Sequence, residues 1–339
     1  MIKHLRSKLV AATVIAAIAF SMSTARAQQK SEIALSRQPG IFYMPSHIME
    51  KLKLIEKHAA SLGVTGVTTK WITFSGGGAQ TDALLAGGVD ILNTGTGNLL
   101  LLWDRTRGGV KGIVATSAQP MTLISRDANI KSIRDFGPGD KIAVPTVKVS
   151  TQAIVLQIAA AEAFGADQWS KLDANTVQLG HPDAYAALSN PKHEVHNHFS
   201  IPPFTFLELK SVPGAHVVLS SPDVMGGPLS QAQFFTTTKF ADANPKVIQA
   251  VRDATKEAQD LIRSDTKQAV EIYKEITGDK TSVEELLDLL KEPGMMEWNL
   301  EPQGTMKFAA HLYKTGTLKN QPKAWTDYYL PVAHDLKGN

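Results

Sequence analysis

Three stretches of this 339-residue chain set glycine and small hydroxyl residues between a β-prone run and a helical one. They are Ser75-Gly76-Gly77-Gly78, Thr94-Gly95-Thr96-Gly97-Asn98 and Val149-Ser150-Thr151-Gln152. Glycine lets backbone amides approach a ligand closely, and the unpaired amides of a helix N-terminus attract a negative or strongly accepting group. Each stretch alone reads as a helix cap; three in one chain point to a ligand with an anionic or accepting head. No nucleotide fingerprint accompanies them, because Gly-x-x-x-x-Gly-Lys-Ser/Thr is absent and Gly95-Thr96-Gly97 lacks the third glycine of a dinucleotide motif. A Gly-x-Ser-x-Gly elbow is also missing, and without cysteine there is no thiolate nucleophile, disulfide or thiolate metal site. Catalysis has no positive signal, and no cofactor is expected.

Histidines gather at His193, His196 and His198, with His181 upstream. On a strand, residues 196 and 198 share a face, so a zinc pair can be drawn there. A polar contact to a ligand or hinge, or a structurally satisfied side chain, fits the same residues.

The elements that must position these groups alternate. Short β-prone runs are Ile33-Ala34-Leu35, Val67 to Phe74, Val89 to Leu92, Gly112 to Thr116, Thr122 to Ser125, Lys141 to Val144, Thr176 to Leu179, Val195 to Phe199, His216 to Leu219 and Gln233 to Thr237. Helical patterns separate them, which is the signature of an α/β protein with mainly parallel sheets. Ile48, Leu52, Ile55 and Ala59 predict one amphipathic helix, and Thr151 to Phe164, apolar on almost every face, predicts a buried one that stops at Gly165.

The last hundred residues turn helical. Val247, Val251, Ala254, Ala258 and Leu261 form one stripe, Ala269, Ile272, Tyr273 and Ile276 another, and Ser282 with Glu285 forms a capping box. Met295, Met296, Trp298, Trp325, Tyr328 and Tyr329 are expected to pack this layer onto a sheet. A strand, turn, helix and strand ending at Leu92 is echoed by another through His198, as two lobes of similar build would produce.

At 43% apolar and 20% charged, the composition suits about two ordinary domains at roughly 150 residues each. The formal charge of +3 belongs to the first 27 residues, where Lys3, Arg6, Lys8 and Arg26 meet no acid. The remainder holds 31 basic against 32 acidic side chains, a net −1, so nothing marks it for nucleic acid. Those 27 residues run from a basic start through an apolar Leu9 to Phe20 to Ala25-Arg26-Ala27, the layout of a secretory signal peptide cleaved after Ala27. A membrane anchor would need roughly 20 apolar residues. With no cysteine after the run, a lipid anchor is excluded.

In order along the chain, these pieces resemble the periplasmic substrate-binding proteins of ABC importers, in the nitrate, sulfonate and taurine group that shares its fold with thiamine-pyrimidine proteins. The carriers are Gln38-Pro39-Gly40-Ile41-Phe42-Tyr43-Met44-Pro45 with the helix to Leu62-Gly63, Phe74-Ser75-Gly76-Gly77 with Ala83 to Asp90, Ile130 to Pro145, and Phe240-Ala241-Asp242-Ala243-Asn244-Pro245. The resemblance implies a type II periplasmic binding protein fold: two α/β lobes, two crossing hinge strands, and a helical C-terminal tail on the first lobe. Residues 28–118 and 229–339 would build the first lobe and 119–228 the second. It implies a soluble, monomeric periplasmic protein that is not an enzyme, takes up a small-molecule ligand, an organic anion, and hands it to a permease in the inner membrane.

Carried over by position, the ligand contacts are Gln38, Tyr43, Ser75, Gly76, Thr94, Gly95, Thr96, Asn98, Ser150 and Thr151, with His181, His196 and Asn197 completing the set. Relatives commonly read Gly-x-Val/Ile-Asp-Ala where this chain has His193-Glu194-Val195-His196-Asn197, so an acid near the cleft has gone and a neutral or anionic ligand is favoured, with His196 as donor. The rival readings are a pyrimidine-precursor binding or synthesis protein, whose eukaryotic relatives carry a cysteine-rich iron segment absent here, and a histidine-based metal-binding protein. Protein recovered from an exporting host is expected to begin at Gln28, which N-terminal sequencing or intact mass reads directly; retention of residues 1–27 in membranes would favour the anchor.

Overall fold

The computed structural model describes residues 30–339, so the expected leader and its cleavage point lie outside the described residues. From Ser31 the chain runs β1 (Glu32–Arg37), α1 (Met44–Lys51), α2 (Leu54–Ser61), β2 (Thr68–Thr73), α3 (Gly77–Leu85), β3 (Ile91–Thr94), α4 (Thr96–Arg105) and β4 (Val110–Ser117). Then follow β5 (Thr122–Ser125), β6 (Ile142–Val144), α5 (Thr151–Phe164), β7 (Thr176–Gln178), α6 (His181–Ser189), β8 (Asn197–Ser200), α7 (Phe204–Ser211), β9 (His216–Ser220) and α8 (Ser221–Met225). The rest is β10 (Ala232–Thr237), α9 (Thr238–Ala243), α10 (Pro245–Ser264), α11 (Thr266–Thr277), α12 (Val283–Leu290) and α13 (Thr305–Lys314).

These strands form two five-stranded sheets, ordered β2-β1-β3-β10-β4 and β7-β6-β8-β5-β9. In the first, β2, β1 and β3 are parallel while β10 runs antiparallel to β3 and β4. The second repeats that layout, with β7, β6 and β8 parallel and β5 antiparallel to its two neighbours. In each sheet the antiparallel strand is the one that arrives from the other: β5 enters the second lobe and β10 returns to the first. The sequence echo is therefore a repeat of topology, since β2-α3-β3 and β7-α6-β8 fill the same places. All ten expected strands are present, their ends displaced by at most two residues.

Helix α5 spans the expected residues, with Ser150 accepting from the Ala153 amide and Gly165 ending it at φ 107°. Both halves of the Ser282–Glu285 capping box form at the start of α12. One expectation fails. The stripe Ile48, Leu52, Ile55 and Ala59 is two helices, because Lys53 takes a left-handed φ of 50° and Leu52 is 42% exposed. The break lets α1 lie against both α10 and α11 while α2 follows α10 alone, which one straight helix could not do.

Met295, Trp298, Tyr328 and Tyr329 of the tail pack into the core as expected, whereas Met296 stands exposed. Tyr329 bridges to Gly112 of the edge strand β4, and the Leu330 amide donates to the Gly112 carbonyl at 2.8 Å. Among the described residues no helix is long and apolar enough to cross a membrane. A Cβ added at Gly112 would lie 2.6 Å from the Tyr329 ring, so Gly112→Ala is expected to cost about 1–3 kcal/mol. Urea unfolding checks this as a lowered midpoint at unchanged slope, with Gly112→Ala and Tyr329→Leu together costing less than their sum.

Candidate ligand-binding site

Parallel strands direct the helices that follow them to one end of a sheet, and in both lobes that end faces the other lobe. The starts of α3, α4 and α5 meet there, capped by Gly76, Gly95 and Ser150. Their approach is close. A Cβ on Gly76 would sit 2.7 Å from the Pro145 carbonyl oxygen, on Gly95 2.5 Å from Thr151 Oγ1, on Gly97 2.3 Å from the Val149 carbonyl oxygen, and on Gly180 2.9 Å from the Ser75 carbonyl oxygen. Each of these contacts joins one lobe to the other, and hydrogen bonds from Gly78 N to Thr146 Oγ1 (3.3 Å) and Ile41 N to the Pro202 carbonyl (3.1 Å) add to them. The lobes are closed.

Inside this seam lies a cavity of about 10 Å³ walled by Gln38, Gly77, Thr94, Gly95, Asn98, Pro145, Ser150, Thr151, Gln152 and Gln231. That is about the space one water centre needs, so any larger guest requires the lobes to part. None of these ten side chains is ionisable. Two buried polar atoms in the wall, Thr151 Oγ1 and Gln231 Oε1, have no hydrogen-bond partner within the chain. A buried polar atom left unpaired costs about 1–3 kcal/mol, which a ligand's own polar groups would offset.

Gln38 is fixed from behind. Its amide donates to Thr94 Oγ1 at 2.6 Å and to Gln80 Oε1 at 3.0 Å, and Gln80 in turn donates to Ser36 Oγ and the Asn93 carbonyl. The Tyr43 hydroxyl joins Thr94 and Gln38, and burial raises its pKa, so it remains a neutral phenol.

The sequence-derived residues divide accordingly. Gln38, Thr94, Gly95, Asn98, Ser150 and Thr151 come together in the cavity wall, Tyr43 supports them, and Ser75 and Gly76 form the seam beside it. Thr96 turns away, donating to the Ser230 carbonyl and accepting from Gln233 at 2.6 Å, so it braces the returning strand. His196 and Asn197 are not at the cleft. The parallel register sets Asn197 level with Ile142, at the start of β6, whereas the cavity begins at Pro145 beyond its end, and Asn197 donates to the Lys141 carbonyl. His181 is buried behind Gln152 and does not line the wall.

Sequence reading missed Gly77, Gln152, Gln231 and Pro145 as wall residues. Gln152 stood within a flagged stretch, and an amide on an otherwise apolar helix was its signal; nothing local marked Gln231, which arrives with the return crossing. A larger hollow of about 680 Å³ beside Leu287, Leu290 and Met296 lies in the helical tail and shares no residue with this wall.

No protein-family model matches the chain, and no curated protein matches it in sequence. Solved structures do match in fold. The alkanesulfonate-binding protein SsuA from Xanthomonas axonopodis pv. citri, bound to MOPS, superposes with a TM-score of 0.68 at 15% identity, over 92% of this chain and 100% of that one. The periplasmic aliphatic sulphonate binding protein from Escherichia coli gives 0.63 at 18% identity, over 88% and 99%. A Candida albicans protein described as having the generic periplasmic binding protein fold gives 0.65 at 13% identity, over 88% and 96%. At these identities the likeness is one of architecture, and this chain has the two-lobed periplasmic binding protein fold.

Proposed function

We propose that this chain is the extracytoplasmic solute-binding component of an ABC importer, which closes its lobes on a small organic anion and presents the closed form to an inner-membrane permease. One observation carries the reading: three helix N-termini, two from one lobe and one from the other, converge on a buried wall that has polar groups and no ionisable side chain. Helix-start amides supply positive potential to an anion without a counter-charge. The sulfonate-binding proteins named above share the architecture, which supports a binding role and no enzymatic one. The basic, apolar and small-residue order of residues 1–27 supports export to the periplasm. Lobe boundaries near Ala118 and Pro228 are supported by the changes of sheet between β4 and β5 and between β9 and β10. One chain supplies both walls of the cleft, which supports a monomer.

Ligand is expected to raise thermal stability as RT ln(1 + [L]/Kd), about 2.7 kcal/mol at a hundredfold excess over Kd, without turnover. Scanning calorimetry against sulfonates, nitrate, carboxylates and pyrimidines tests this, and a flat response at millimolar ligand would sink the reading. Closure is tested separately with Gly97→Ala. The added methyl meets Val149 only when the lobes are shut, while alanine suits a helix better than glycine by up to about 1 kcal/mol. The unliganded melting temperature should hold or rise while affinity falls by about tenfold or more, as an overpacking cost of about 1–3 kcal/mol on the closed form requires.

A further inference from the structure

The second lobe buries four polar side chains in a row that ends at Gln152. Glu208 of α7 and His198 of β8 are fully enclosed, with Glu208 Oε1 2.5 Å from His198 Nδ1. His198 Nε2 lies 2.9 Å from Nδ1 of His181, the first residue of α6, and His181 Nε2 lies 3.3 Å from Gln152 Nε2. His181 is further held by Phe204, whose ring stacks on it at 6.0 Å.

Proton placement along this row is set from both ends. A carboxylate only accepts, so with a single proton on its ring His198 carries it on Nδ1 and leaves Nε2 bare. His181 must then donate from Nδ1, which leaves its Nε2 bare, and that bare nitrogen is what the Gln152 amide nitrogen meets. One additional proton in the row would place hydrogen on His181 Nε2 and oblige the Gln152 amide to turn over.

We propose that Glu208, His198 and His181 are positioning residues of the ligand site: they hold the Gln152 amide nitrogen inward, so that its carbonyl oxygen serves the cleft and selects ligands carrying a hydrogen-bond donor beside their anionic group. The selection rests on the binding reading above; the proton placement does not. Burial, then the neighbouring His198, holds the His181 pKa well below the usual 6.5, so this ring stays neutral at physiological pH. The elements packed against the row bring few other ionisable groups. Strands β5 and β6 have none, Asp183 of α6 is exposed, Tyr185 bonds Ser211, and Lys210 of α7 pairs with Glu285. Gln231 Oε1, unpartnered in the same wall, is a second acceptor for the same donor.

Ring-nitrogen NMR on the ¹⁵N-labelled, unliganded protein reads the placement directly. Each ring is expected to carry its hydrogen at Nδ1 and none at Nε2; a proton on His181 Nε2 would overturn the proposal. Selection is read with two probes of equal size, 2-aminoethanesulfonate and propane-1-sulfonate, which differ by an ammonium in place of a methyl. The wild type should prefer the ammonium probe by about tenfold or more, as one charge-assisted hydrogen bond provides. That preference should shrink as acid adds a proton to the row, vanish in His198→Leu, and survive in Glu208→Gln, which keeps an acceptor oxygen for His198. The pH series on the wild type decides the matter if His198→Leu does not fold. Equal binding of the two probes at pH 7 overturns the selection. Binding of neither overturns it too, and is distinguished from a failed relay because the ring spectra need no ligand.

Discussion

The rest of the structure depends on how closely the backbones of the two lobes approach. Helix-start amides lose their effect within about a turn, so a small anion feels several of them only if the helices end almost against one another. At this seam the gap is narrower than a methyl group. Gly76, Gly95, Gly97 and Gly180 each face a carbonyl or hydroxyl of the opposite lobe at a distance no Cβ could share. None of these four needs a left-handed backbone, so the requirement is for space and not for an unusual φ. The repeated sheet order follows the same constraint, because two copies of one strand-helix layout, joined through antiparallel crossings, bring equivalent strand ends face to face.

Both lobes then solve one problem in the same manner: a glutamine at the cleft must show a chosen side of its amide. In the first lobe Gln38 is fixed by Thr94 and by the chain through Gln80 to Ser36 and Asn93, with Asn93 donating to Ser46 at 2.7 Å. In the second lobe Gln152 is backed by His181, His198 and Glu208. Buried networks of this type reduce what a ligand must order on binding, although in the second Glu208 Oε2 is left without a partner. The difference lies in chemistry. The one titratable member of the first network, Tyr43, is a phenol that burial keeps neutral, whereas the second holds two imidazoles and would reverse its bonds by gaining one proton.

Strand positions and the start of each seam helix were legible from residues 75–78, 94–98 and 149–152, since period-2 runs and cap residues are local signals. The break at Lys53 was not, because an unbroken apolar spacing continues through Leu52 and only the need to lie against two different helices explains the turn. His196 and Asn197 misled for a related reason. A strand's composition fixes its existence, yet which end meets the cleft is set by register against β6, and that register is a long-range pairing. Glu208 lay open to notice as a lone acid within Phe204-Thr205-Phe206-Leu207-Glu208-Leu209, but its partners are brought in by β8 and α6. Only folding places them.

Residues 28–339 carry a net charge of −1, so long-range attraction for an anion is weak and further screened within about 10 Å at ordinary salt. Whatever affinity the cleft has must arise at contact. In an open cleft water keeps the effective dielectric high and the helix-start amides contribute little; closure excludes that water and strengthens the same dipoles several-fold. In the proposed role affinity and closure are thus one equilibrium, with the ligand favouring the shut form by its differential contacts there. A wall without ionisable side chains suits this arrangement, since a fixed lysine or arginine would attract its anion in the open form as well. The glycine seam and the neutral wall are two parts of a single requirement, that the ligand be held only when the lobes have met.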